Sequence, residues 1–335
     1  MNRSLIFLLS VFALMTLSFE NPVFASRARE VALGTGDAGL VLNGGSLYYD
    51  TEYNIFYNPS YINDFKNFGI IEKSNFPGLT AQGGFINSIF NFSFGLYMNR
   101  RQAISENYAS ANDMRPFEIL LGSDMGVKWG VSLETAGFST AEKSDADMTL
   151  RGGIQFAEFE PFFSYKLKGT ERIVADNTYK GWSLGTRYKW GEWVPYVAYR
   201  SMETNGILSR SFGTGIARNA KLAEGIKTNT AVGFFRSTGQ SRSIVPLDFS
   251  VEADPVVWLT LRAGISYRIF DRVGEQSQFD TTTGRLGAGF HVGRATFDWT
   301  VGRSVWGAEG TTSADPQTFD LTSGFFTAAS MMFNW

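Results

Sequence analysis

Apolar and polar residues alternate one for one through most of the chain after about residue 65. In the run Phe90–Asn99, residues Phe90, Phe92, Phe94, Leu96 and Met98 share one side, and Asn91, Ser93, Gly95, Tyr97 and Asn99 share the other. Successive side chains of a strand point to opposite faces, so this pattern predicts a strand with one greasy and one polar face. The same two-faced pattern recurs in Val127–Glu134, Trp182–Trp190, Leu247–Ala253, Leu259–Arg268 and Phe297–Gly302. No later segment approaches the roughly 20 apolar residues of a spanning helix, so any membrane crossing must be made by strands.

Turn and loop signals separate these runs. Short turns are expected near 87–88, 123–124, 158, 191–192, 254–255 and 293–294. Longer polar loops are expected near 100–115, 135–147, 169–178, 203–224, 270–282 and 304–322. The stretch 203–224 reads either as one long loop, with a short amphipathic lid, or as a further strand around Leu208–Ile216. Short turns at one rim and long loops at the other suit an outer-membrane barrel. The expected fold is an all-β transmembrane antiparallel barrel over 63–335, with about 14 strands favoured and 12 to 16 allowed. A soluble sandwich would alternate too, with Phe92, Trp129 and Leu261 packed inside. The aromatic-rich apolar faces, with Trp and Tyr near strand ends, favour lipid.

Both ends of the chain add to this. Arg3, the apolar run Leu5–Leu17, the polar Glu20–Pro22 and the ending Val23-Phe24-Ala25 predict a cleavable signal peptide over 1–25. Residues 26–62 lack strand alternation and are rich in Gly, so they are expected to form a plug-like or capping segment. In the last run, Phe325, Thr327, Ala329, Met331, Phe333 and Trp335 share one face. A closing strand must pair with the first so that no edge is left in lipid. Met331, Phe333 and Trp335 also resemble the C-terminal signal read by the barrel-assembly machinery, an expected partner during insertion, with outer-membrane lipids as the other.

Composition narrows the chemistry. The chain has 36 Gly, 30 Phe, 13 Tyr, 8 Trp, one His and no Cys, with a net charge of −2. There is no basic footprint for nucleic acid, and no thiol for catalysis or disulfides. His291, in an expected tight turn, has no nucleophile or metal partner nearby in sequence. The run Gly34-x-Gly36-x-x-Gly39 fits a dinucleotide fingerprint in spacing, but no strand–helix unit surrounds it. The chain is therefore read as non-enzymatic, without a cofactor or metal. The polar strand faces carry Lys128, Glu134, Lys166, Lys168, Arg187, Lys189, Asp248, Glu252, Arg262, Arg268 and Asp298. These charges either pair across the lumen and stiffen the barrel or form a selectivity surface for a solute.

Residues Ala32–Gly39 and Ile55-Phe56-Tyr57-Asn58-Pro59 resemble the N-terminal region of the FadL and PorV outer-membrane families. The resemblance implies a barrel whose N-terminal segment folds into the lumen, with Gly34, Gly36, Gly39, Asn58 and Pro59 as its motif. From the residues alone, Asn58-Pro59 reads equally as the end of a plug or as the lead into the first strand. Those families usually continue Asn-Pro-Ala-Gly, whereas this chain has Asn58-Pro59-Ser60-Tyr61. The FadL resemblance implies transport of small hydrophobic molecules. The PorV resemblance implies a non-transporting scaffold or secretion partner.

Overall fold

The structure, a computed structural model, describes residues 26–34, 41–42, 44–74, 81–100, 108, 113–277, 282–306 and 325–335. Segment 1–25, Gly36 and Gly39 lie outside the described residues. No described helix is long and apolar enough to cross a membrane.

The alternating runs form strands. The first are β1 (Phe68–Ser74), β2 (Gln82–Ile89), β3 (Phe92–Met98) and β4 (Phe117–Asp124). Next come β5 (Lys128–Ser139), β6 (Ser144–Gln155), β7 (Phe159–Glu171) and β8 (Asn177–Tyr188). They are followed by β9 (Trp193–Thr204), β10 (Ile207–Ala223), β11 (Ile226–Ser237) and β12 (Arg242–Val256). The chain ends with β13 (Leu259–Val273), the two-residue β14 (Gln276–Ser277), β15 (Thr282–Val292), β16 (Ala295–Trp306) and β17 (Phe325–Asn334). Each strand pairs antiparallel with its neighbour, β13 pairs directly with β15, and β14 merely extends the edge of β13. β17 pairs with β16 and also with β1, with Phe68 opposite Asn334 and Ser74 opposite Ala328. The sheet is thus a closed barrel of sixteen strands plus one short extra strand.

The expected 14 strands are corrected to sixteen, and of the two readings of 203–224 the further strand is the one observed. There is no long loop or lid at 203–224. Instead β9 turns through Asn205-Gly206 into the 17-residue β10. Asn205 and Gly206 both have positive φ (51° and 85°), the conformation that a two-residue hairpin with Asn-Gly adopts. Further turns at 224–225 and 238–241 split the rest into β11 and β12. Arg210, Arg218 and Lys221 interrupt the apolar pattern of β10 and hide it. The turn expected at 254–255 is shifted too: β12 runs through Pro255 to Val256, with a register irregularity after Ala253. His291 lies in β15 rather than in a turn. Its ring nitrogens sit 3.0 Å from Thr260 Oγ1 and 3.2 Å from Thr296 Oγ1.

One rim carries the turns 90–91, 125–127, 156–158, 189–192, 224–225, 257–258 and 293–294, together with the start of β1 and the end of β17. Toward the other rim, 18 residues of sequence separate β3 from β4 (99–116) and β16 from β17 (307–324), but β9 joins β10 and β11 joins β12 through the tight turns 205–206 and 238–241. The asymmetry of loop length is therefore weaker than expected. Phe92, Val131, Leu184, Phe249, Leu261, Ile265 and Trp299 point outward and are exposed. That arrangement excludes the sandwich in which Phe92 and Leu261 would pack inside. Trp190, Trp193, Trp258 and Trp335 lie exposed along the tight-turn rim, where amphipathic rings meet a lipid–water boundary.

Before β1 the described residues form a helix and two 3-10 helices, all largely buried. Helix α1 (Arg27–Leu33) is capped by Ser26, whose hydroxyl accepts from Arg29 N, and it ends at Gly34 with φ +83°. The 3-10 helices are Glu52–Phe56 and Pro59–Asn63. Asn58 caps the second by accepting from Ser60 N, and Pro59 occupies its first position, where a missing N–H costs nothing. α1 contacts β12, β13, β15, β16 and β17, while the second 3-10 helix contacts β3, β4, β5 and β6. The aromatic residues between them complete the core. Tyr48 and Tyr57 pack with Phe162, Tyr196 and Phe235, and Tyr53, Phe56 and Ile62 pack with Phe68, Tyr97 and Leu120.

Candidate functional site

The polar faces of the strands and residues 26–64 meet in three charged networks. The first joins α1 to β12, β13 and β16. The Arg29 guanidinium donates to both oxygens of Glu252, at 2.6 and 3.1 Å. Arg262 donates to Glu252 at 2.7 Å and to Asp298 at 2.6 Å, and Ser26 Oγ donates to Asp298 at 2.6 Å. These groups are nearly solvent-free, and two-pronged charge-assisted bonds of this kind are the strong ones.

The second network joins Asp50, Tyr57 and Tyr61 to β7 and the end of β8. Arg187 donates to Asp50 at 2.9 Å, to Tyr61 OH at 2.8 Å and to Tyr57 OH at 3.1 Å. Lys189 bridges Asp50 and Glu160, at 2.8 Å to each, and Tyr61 OH donates to Glu160 at 2.8 Å. Partial burial opposes ionisation of Asp50, but Arg187 and Lys189 outweigh it and hold its carboxyl well below the usual carboxylate range.

The third network belongs mostly to the wall. Arg151 on β6 bonds Glu118 at 2.8 Å and pairs with Glu134. Arg100 bonds Glu118 at 2.9 Å and stacks over the Phe56 ring, 3.7 Å from its centroid. Lys166 pairs with Asp147 at 2.5 Å.

Asn58-Pro59 lies over a row of glycines. Gly122, Gly130 and Gly153 stand directly opposite one another on β4, β5 and β6. A β-carbon on Gly153 would overlap Asn58 Oδ1, one on Gly130 would overlap the Pro59 carbonyl, and one on Gly122 would crowd Ile62. Close approach of one backbone to another is the packing that glycine permits. Nearby, Asn63 Nδ2 donates to the Trp129 carbonyl at 2.9 Å, and Lys128 pairs with Asp64. Gly34 sits at the other end of the segment, against the Arg285 side chain.

The structure therefore brings Arg187 and Lys189 together at Asp50, and Glu252, Arg262 and Asp298 together at Arg29. Lys128, Glu134 and Lys166 lie apart from both groups. Asp248 accepts from Ser266, and Arg268 bonds Asp271 at 3.1 Å farther along β13. Sequence reasoning missed Arg29, Asp50, Tyr61, Glu118 and Arg151. Arg151 and Glu118 occupy the polar parity of their strands, a signal that was present. The partners in 26–64 follow no periodicity, so only contact reveals them. Among the described residues, no cluster of His, Asp and Glu has the form of a metal site.

Glu30 allows a pH test. Burial pushes its carboxyl up to about 7, against the opposing pull of Arg27. The folded state therefore binds the proton more tightly than the unfolded chain does. The stability from this group is complete below the ordinary value of about 4.3 and falls as pH rises through 7. In urea titrations between pH 5 and 8, Glu30→Gln is expected to flatten that decline. A slope identical to the parent's would contradict the assignment.

No protein-family model matches the chain, and no curated protein matches it. Solved structures do. A bacterial polysaccharide outer membrane secretin aligns with a TM-score of 0.56 at 7% identity, over 81% of this chain and 98% of that one. CdiB from Acinetobacter baumannii aligns at 0.51 and 10% identity, over 81% of this chain and 60% of that one. CdiB from Escherichia coli aligns at 0.50 and 10% identity, over 80% and 63%. This chain has the fold of outer-membrane β-barrels. At such identities the likeness concerns the fold alone.

Proposed function

We propose that the protein is an outer-membrane barrel whose residues 26–62 plug its interior, so that small solutes pass only when this segment shifts. The observation that carries the reading is the attachment of Ser26, Arg29, Asp50 and Tyr61 to inward side chains of strands around the barrel. Ser26 and Arg29 reach Asp298 and Glu252, Asp50 reaches Arg187, and Tyr61 reaches Glu160. Sixteen strands enclose more room than wall side chains fill, which gives such a segment its place. The resemblance of Ala32–Pro59 to the FadL and PorV families supports the same reading. The outward apolar band and the rim tryptophans support an outer-membrane location after export by the 1–25 leader.

The charged interior favours polar solutes over the hydrophobic ones that a FadL-like channel would pass. Glycine-row variants in lipid vesicles test the reading. The parent barrel is expected to pass small sugars and amino acids slowly. Gly153→Val, which pushes on Asn58 while leaving the lipid face unchanged, is expected to raise the flux at least tenfold. Free passage through the parent, at the variant's rate, would overturn the plug. A second reading, a closed PorV-like scaffold, is favoured by the Arg151–Glu118–Glu134 network, whose three members all stand on wall strands and tie β4, β5 and β6 together. It predicts that Gly153→Val leaves flux unchanged and that a stable protein partner is recovered from the outer membrane.

A further inference from the structure

A cavity of about 360 Å³ lies between the N-terminal segment and the wall of β8–β12. It sits toward the tight-turn rim, where Lys189, Lys221 and Lys227 line it. Its acids are already engaged. Glu252 is shared by Arg29 and Arg262, and Asp50 by Arg187 and Lys189. Lys221 and Lys227 are different. They stand directly opposite each other on β10 and β11, an arrangement in which like charges repel. Neither has a hydrogen-bond or ion-pair partner among the described residues. The carboxylate opposite Lys227 across the next strand pair is Glu252, which the two arginines occupy.

Two uncompensated ammonium groups at the mouth of a low-dielectric cavity focus a field on whatever anion enters. The cavity also has an apolar side, formed by Leu33 and Val194, both buried. Its volume lies within the range of small-molecule sites, roughly 300–1,000 Å³. We propose that this cavity binds a small organic dianion of the phosphate-monoester class. The phosphate lies between Lys221 and Lys227, and the organic body lies against Leu33 and Val194. Lysine serves such groups as a point charge, and two of them match the two charges of a monoester above its second pKa of about 6.

The site does not require the segment to move, so it stands apart from the gating reading. The test is equilibrium titration of the whole folded barrel, in detergent at low salt and pH 8, with phenyl phosphate and with uncharged phenol. Phenyl phosphate is expected to bind at least tenfold more tightly than phenol. In Lys221→Gln/Lys227→Gln its affinity should fall at least tenfold while phenol binding is unchanged. The Lys221→Arg/Lys227→Arg variant keeps both charges and should retain binding, separating loss of charge from loss of fold. The proposal is overturned if the parent fails to bind phenyl phosphate, if phenol binds equally well, or if the glutamine variant binds phenyl phosphate as the parent does.

Discussion

Arg187→Met is expected to destabilise the barrel by roughly 3 to 5 kcal/mol, the usual cost of removing one member of a buried charge cluster. Arg187 is 1% exposed and holds Asp50, Tyr57 and Tyr61 at once, with Glu160 3.6 Å from its Nε. Without it, Lys189 is the one cation left to Asp50 and Glu160, and two phenol oxygens lose their donor. Methionine fills much of the volume, so the loss is electrostatic rather than a cavity. The double variant Arg187→Met/Glu160→Gln should recover part of the stability, because the carboxylate left behind is what makes the single change costly. Urea unfolding in lipid vesicles measures both. A single-variant effect below about 1 kcal/mol, the range of an exposed pair, would mean that the cluster is hydrated and does not hold the segment.

Arginine on the outer face should cost an amount that depends on depth. Phe249 on β12 lies opposite Ile265 on β13, near the middle of both strands, and both are about half exposed. Phe249→Arg places a charge near the bilayer midplane and is expected to cost about 2–4 kcal/mol, against about 0–1 kcal/mol near the boundary. Val257, 79% exposed in the turn after β12, provides the boundary comparison as Val257→Arg. The ratio of the two, read from vesicle folding titrations, is the result to watch. Equal costs at both positions would mean that the exposed band does not face hydrocarbon.

The alternation from residue 65 onward determined that the chain would form two-faced strands, because the period of two is a property of the extended backbone itself. It placed Phe92, Leu184, Phe249 and Leu261 on the outer face before any fold was known. The strand number was harder to read. The strand β10 was written in Asn205-Gly206 and in Phe212, Gly213 and Gly215, but its arginines and lysine broke the apolar rhythm. A strand whose charges sit near the rims does not need that rhythm.

Only the tertiary structure decided how residues 26–64 sit. Their helices are short, their caps are local, and nothing in their order names Glu252, Arg187 or Glu160 as partners. Those pairs join residues more than 90 positions apart. Ion pairs have no sequence period, so their geometry exists only once sixteen strands have closed. The glycine row Gly122–Gly130–Gly153 is of the same kind. Each glycine was visible in its own strand, but their alignment under Asn58-Pro59 depends on the register of three strands at once.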